Sequence, residues 1–145
     1  MKKQLKVLLP LILCIIISSL FIYFGKVKYE SLITPKYAPP GFVFPIAWSI
    51  IYFIFYYTTW KSIENKNVYL LYIILLSFHT IWNFTFFFMG FFLVALFALF
   101  IIYFISWIYV YYLSQVKKSY FYFHIPYLIW LMLALYLNIG VFLLN

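Results

Sequence analysis

Five apolar stretches alternate with short polar breaks along the chain, near residues 5–24, 42–61, 68–88, 91–113 and 121–144. Each is about twenty residues long, the length a helix needs to cross the hydrocarbon core of a bilayer. Lipid offers no partner to an unpaired backbone group, so the pattern predicts a helix in every stretch. The chain therefore reads as an all-α integral membrane protein, a five transmembrane helix bundle forming a single domain over 1–145. Lys2, Lys3 and Lys6 before an apolar run give the first stretch the look of a signal peptide. Its length, and the Lys26 and Lys28 that follow in place of a small-residue cleavage site, predict a retained span. The bend between the third and fourth stretches is short enough to make those helices antiparallel neighbours.

Polar and aromatic positions inside the stretches recur at helical spacing. The second stretch carries Pro45, Trp48, Tyr52, Tyr56 and Thr59; the third carries His79, Trp82, Asn83 and Phe86; the fifth carries Tyr127, Trp130, Ala134 and Asn138. Steps of three and four residues set each group on one helix face. Polar groups at mid-membrane depth normally point into a bundle. The three stripes are thus expected to face one another around a ligand cavity. Each has a plainer reading. His79 and Asn83 serve equally well as hydrogen-bonding glue between helices, and Asn138 as a cap. His124 and Tyr127 suit an interfacial aromatic belt, as do Trp60 and Trp107.

The longest connection, residues 25–41, is punctuated by Gly25, Pro35, Pro39, Pro40 and Gly41. Consecutive prolines stiffen it. It is either a lid over one end of the bundle or a plain connector whose prolines start the second helix.

Composition changes the picture in two respects. With 69% hydrophobic and 8% charged residues, the chain cannot cover itself with polar groups, and lipid must be its main solvent. Aromatics reach 28%, but all ten basic residues are lysines, a usage consistent with AT-rich coding that inflates Phe and Tyr. The five tryptophans escape that discount. The net charge of +8 is spread over separate loops and forms no stripe for a phosphate backbone, so nucleic acid is not an expected partner. Lys2, Lys3, Lys6, Lys61, Lys66, Lys117 and Lys118 fall on one side of the membrane, against Lys26, Lys28 and Lys36 on the other. The positive-inside rule then predicts a cytoplasmic N-terminus in the cell membrane.

Catalytic equipment is sparse. The only carboxylates, Glu30 and Glu64, fall in loops on opposite sides, so no acid pair or intramembrane proton relay forms. Two histidines and the lone Cys14 give no metal set and no disulfide framework. Val110, Tyr112 and Lys117 fit the loose sterol-contact pattern, which carries little weight.

Taken together, these residues resemble the translocator protein family, also called the peripheral-type benzodiazepine receptor or tryptophan-rich sensory protein family. Its first hallmark, prolines and tryptophans running into a tyrosine, is similar to Pro35, Tyr37, Pro39, Pro40, Pro45, Trp48 and Tyr52. The third stretch, with His79, Trp82, Asn83, Phe86 and Phe87, is similar to a second family region. Pro126, Tyr127, Trp130, Ala134 and Asn138 match a third. The resemblance implies a five-helix bundle, often a homodimer, with a pocket roofed by the first loop. It implies binding of porphyrins, haem-related tetrapyrroles, sterols or drug-like molecules, with no cofactor required. Light-dependent porphyrin breakdown, ascribed to some bacterial members, is implied as an activity without acid–base residues.

Carried over to this chain, Trp48, Trp130 and Ala134 would line the pocket, with Pro45, Tyr52, Tyr37, His79, Trp82, Phe86, Tyr127 and Asn138 around them. This sequence departs from the family in four ways. Tyr37 stands for the loop tryptophan, His79 for an asparagine, and Phe97 for an acid, and no basic tail follows Asn145, which counts against sterols. The expected function is a membrane binding protein for a planar amphiphile, in sensing, transport or disposal. Lys36 could meet the ligand's carboxylates, and a neutral His79 could reach a haem iron. Two other classes compete: a small transporter of a lipophilic solute, and a structural partner within a membrane complex.

Overall fold

The computed structural model describes residues 1–145 and has five long helices: α1 (Lys2–Phe24), α2 (Val43–Lys61), α3 (Lys66–Asn83), α4 (Phe92–Val116) and α5 (Ser119–Leu144). All five are long and apolar enough to cross a membrane. Their order round the bundle is a ring, α1–α2–α5–α4–α3, in which α4 packs tightly on α3 and α5 while α2 makes thinner seams with its neighbours. The looseness around α2 makes room for a cavity.

The buried side of α1 is a single stripe, Val7, Leu11, Cys14 and Ser18, at steps of three and four. The rest of that helix is apolar and exposed, as lipid contact requires. Pro10 lies inside α1 and donates no N–H, so the Lys6 carbonyl loses its usual partner. The Tyr69 hydroxyl covers it at 3.4 Å, and Tyr72 donates to the Val7 carbonyl at 2.9 Å.

The third span does not end as an ordinary α-helix. Past Asn83 it widens into a π-helical turn, Phe84–Met89, closed by Gly90 at φ 72°. The wide turn frees the Phe87 carbonyl, which accepts the Val27 N–H at 3.1 Å. Gly25 sits directly against that carbonyl, and a Cβ there would lie 2.5 Å from the oxygen. The exit of α1 is thereby stapled to the end of α3.

The 25–42 connection is tied down further along. The Ile33 N–H donates to Asn145 Oδ1 at 3.0 Å, and Asn145 Nδ2 donates back to the Ile33 carbonyl at 2.9 Å. Pro35 rests on Gly140 of α5 so closely that a Cβ there would fall 2.7 Å from its ring. At the opposite end of the bundle Asn65 caps α3 by accepting from Asn67 and Val68 N–H, and Lys3 pairs with Glu64. Those contacts bring the N-terminus and the α2–α3 turn to one face.

Cross-helix hydrogen bonds hold the interior. The Ser106 hydroxyl donates to the Ile102 carbonyl, so it accepts from Tyr127 at 2.7 Å, and Tyr127 in turn accepts from His79 Nε2 at 3.1 Å. His124 Nε2 meets Thr58 Oγ1 at 3.0 Å, and Thr59 meets the Tyr109 hydroxyl at 2.7 Å. His124 and Tyr127 are fully buried, which corrects the interfacial-belt reading. The Tyr127 hydroxyl and His124 Nε2 find partners inside the bundle, away from the headgroup region. Trp107 does face outward, and Trp60 lies at the membrane edge with Lys61 Nζ 4.2 Å from its ring centre.

Candidate ligand cavity

The walls of the bundle enclose a cavity of about 850 Å³ between α1, α2, the end of α3, and α5. Of its 28 lining residues 19 are hydrophobic, so any occupant must be largely apolar. Exposed α1 and α2 positions such as Ile15, Ile22 and Phe53 share the lining, so the cavity extends into the lipid-facing cleft between those helices.

Its inner wall is aromatic. On α2, the turn-by-turn spacing of Pro45, Trp48, Tyr52 and Tyr56 brings all four to the lining. Trp48 lies 5.5 Å from Tyr52, 6.2 Å from Trp82 and, edge-on, 5.0 Å from His79, centre to centre. Trp130 comes in from α5 with Ala134 a turn further on, and Phe44 packs on it at 5.7 Å. Tyr29 of the connecting loop packs on Phe44 at 5.0 Å, continuing the aromatic wall up to the loop.

The three lining tryptophans differ in one respect. Trp82 Nε1 donates to Asn138 Oδ1 at 3.1 Å, and Asn138 Nδ2 donates to the Phe92 carbonyl at 3.1 Å. The Asn138 amide is thus spent at both ends on joining α3, α4 and α5. The indole N–H groups of Trp48 and Trp130 have no such partner. They are the donors left over for an occupant.

Eight of the eleven expected site residues border the cavity: Trp48, Trp130, Ala134, Tyr52, Pro45, Trp82, Phe86 and Asn138. Three do not. Tyr37 is 74% exposed on the outside of the loop, with Lys36 over its ring. His79 is buried behind Trp48 with Nε2 engaged by Tyr127, so it bonds across helices and does not border the cavity. Tyr127 sits one layer further in, between His79 and Ser106.

The lysine at the lining is Lys28, not Lys36, and its Nζ donates to the Tyr23 carbonyl at 3.1 Å. Val110 is fully buried, so Val110, Tyr112 and Lys117 form no common lipid-facing patch. The sequence reading missed the α1 wall, Leu8 to Tyr23, and the loop residues Tyr29 and Glu30. One signal pointed to α1: Ser18 and Ser19 interrupt an otherwise apolar run.

The class defined by this arrangement is a multi-pass membrane bundle with an internal aromatic cavity beneath a tethered loop. The TspO/MBR family model matches residues 6–144, nearly the whole chain, and the protein belongs to that family. No curated protein matches it.

Proposed function

We propose that this protein binds a porphyrin or a similar planar, mostly apolar amphiphile in the cavity, for sensing, transport or disposal. Family membership supports a membrane ligand-binding role. The observation that carries the finer reading is the pair of unpartnered indoles, Trp48 and Trp130, bordering one cavity of about 850 Å³. Indoles and phenols stack on flat π-systems in offset or edge-on geometry, each contact being worth roughly 1 kcal/mol beyond the buried area. The cleft between α1 and α2 lets a lipophilic ligand arrive from the bilayer. Ligand carboxylates would sit at the loop end, where Lys28 is the lining cation. Seven lysines at the end that holds the N-terminus, against three at the other, support a cytoplasmic N-terminus.

Titration of the purified protein with protoporphyrin IX, followed by Soret absorbance and tryptophan quenching, tests the reading. Saturable binding is expected, weakened about tenfold in a Trp48→Phe, Trp130→Phe double variant. Binding unchanged in that variant would refute the site. Protein-dependent solute flux across liposomes without porphyrin binding would favour a transporter.

A further inference from the structure

Lys28 and Glu30 are the charged side chains that border the cavity, and both are exposed. Everything else in the lining is neutral. Opposite charges two residues apart would ordinarily cancel by pairing. Here no ion pair joins them; the Lys3–Glu64 pair lies at the far end of the bundle. A cation and an anion held apart at the mouth of an apolar cavity suit a ligand that meets each of them separately.

Local structure keeps the two apart. Tyr29–Ser31 is a single 3₁₀ turn with Lys28 at its N-cap. At three residues per turn, side chains two positions apart leave on different sides. The Lys28 carbonyl accepts the Ser31 N–H at 3.0 Å and the Ser31 hydroxyl at 2.7 Å, which fixes the turn. Lys28 Nζ is drawn back to the Tyr23 carbonyl at 3.1 Å, toward the exit of α1, with two N–H groups to spare. Glu30 goes the other way, toward the start of α2. Its carboxylate lies over Gly41, where a Cβ would fall 3.0 Å from Oε1. Gly41, itself in the lining, leaves the carboxylate its place.

The turn is also tied to the aromatic wall. Tyr29, between the two charged residues, packs on Phe44 at 5.0 Å, and Phe44 packs on Trp130 at 5.7 Å. A ring seated on Trp130 therefore meets a fixed pattern at its loop-side edge, positive toward α1 and negative toward α2. One carboxylate on that edge is matched by Lys28. A second would face Glu30, and like charges close together repel even where water reaches them.

We propose that Glu30 is a specificity residue, selecting a ligand whose loop-side edge carries one carboxylate and one cationic group, and disfavouring an edge of two carboxylates. This inference rests on the porphyrin reading of the cavity and narrows the ligand class to a zwitterionic tetrapyrrole.

Three porphyrins built on one ring test it. Protoporphyrin IX carries two propionates, its mono(2-aminoethyl)amide one propionate and one ammonium, and its dimethyl ester no charge. Binding is followed by Soret absorbance in one detergent, and each porphyrin is compared between proteins so that its partition into micelles cancels. The preference for the aminoethylamide over protoporphyrin IX should be about fivefold larger in the wild type than in Glu30→Gln, the scale of exposed charge pairs. In that variant protoporphyrin IX should gain affinity and the aminoethylamide lose it, by about two- to threefold each. Lys28→Gln should weaken both by a similar factor, since each keeps a carboxylate. The dimethyl ester should bind all three proteins alike, showing that the cavity is intact. A preference unchanged by Glu30→Gln, or a shift of both charged porphyrins in the same direction, would overturn the selector and leave the porphyrin reading in place. A loss in Glu30→Gln shared by the dimethyl ester would make Glu30 a prop of the loop and overturn the selector too. Failure of all three porphyrins to bind the wild type would overturn the porphyrin reading and this inference with it.

Discussion

The Trp82 indole donates its N–H to Asn138 across 3.1 Å, joining α3 to α5, while Asn138 passes its own amide proton to the first residue of α4. Of the three tryptophans around the cavity, this one is fastened to the frame. Replacing Asn138 by Leu leaves the Trp82 indole N–H without its acceptor and removes the tie to the start of α4. The expected loss is about 1–3 kcal/mol of stability, read as an earlier unfolding midpoint in detergent. Trp48→Phe and Trp130→Phe, which break no such bond, should leave the midpoint nearly where it was.

His79 and Tyr127 separate structural work from ligand contact in the same way. Tyr127→Phe removes one hydroxyl and strands two groups, the His79 Nε2–H and the Ser106 hydroxyl's incoming bond. A cost of about 1–2 kcal/mol in stability is expected, with porphyrin affinity changed less than twofold. A large affinity loss at unchanged stability would move Tyr127 back into the binding wall.

The five spans and the α2 stripe were legible in the sequence because hydropathy and helical spacing are local properties. Pro45, Trp48 and Tyr52 sit on the cavity for the reason their spacing suggests. The depth of a polar residue was not legible. Periodicity sets His79 and Tyr127 on the inward face of their helices, but which of two inward layers each occupies depends on how far α4 advances, and Ser106 on α4 carries no stripe of its own. His124 was misread for a related reason: its partner, Thr58, lies 66 residues away. The π-helical turn at Phe84–Met89 was likewise hidden, since it rests on the contact of Gly25 and Val27 with the Phe87 carbonyl. The α1 wall escaped because its apolar residues read the same whether they face lipid or a cavity.

Outside the membrane, Lys3 beside Glu64 holds that carboxyl below the usual glutamate range. Because the folded value is depressed, the pair stabilises the fold above the unfolded-state value and loses that contribution as pH falls through the folded one. Both side chains are exposed, so the effect is modest and shrinks with salt. A side-chain titration of Glu64 by NMR should give a midpoint below that of a free glutamate, and Lys3→Ala should raise it toward the ordinary value. An unmoved midpoint in Lys3→Ala would mean that the pair does not form in solution.

The connecting loop is held at three points, and two of them, different in kind, should respond differently to mutation. At Gly25 the contact is backbone on backbone: a Cβ would sit 2.5 Å from the Phe87 oxygen, with the Val27–Phe87 bond beside it. Neither partner can step aside, so Gly25→Ala should separate α1 from α3 locally and cost about 1–3 kcal/mol. At Ile33 the tie is a side-chain amide, Asn145, gripping one residue's N–H and carbonyl. Asn145→Ala should leave global stability almost unchanged, because both loop groups can turn to water. Amide exchange at Ile33 should rise, and ligand should leave faster if the loop roofs the cavity. Identical exchange at Ile33 in wild type and variant would show that the Asn145 tie does not hold this part of the loop, leaving it to Pro35 against Gly140.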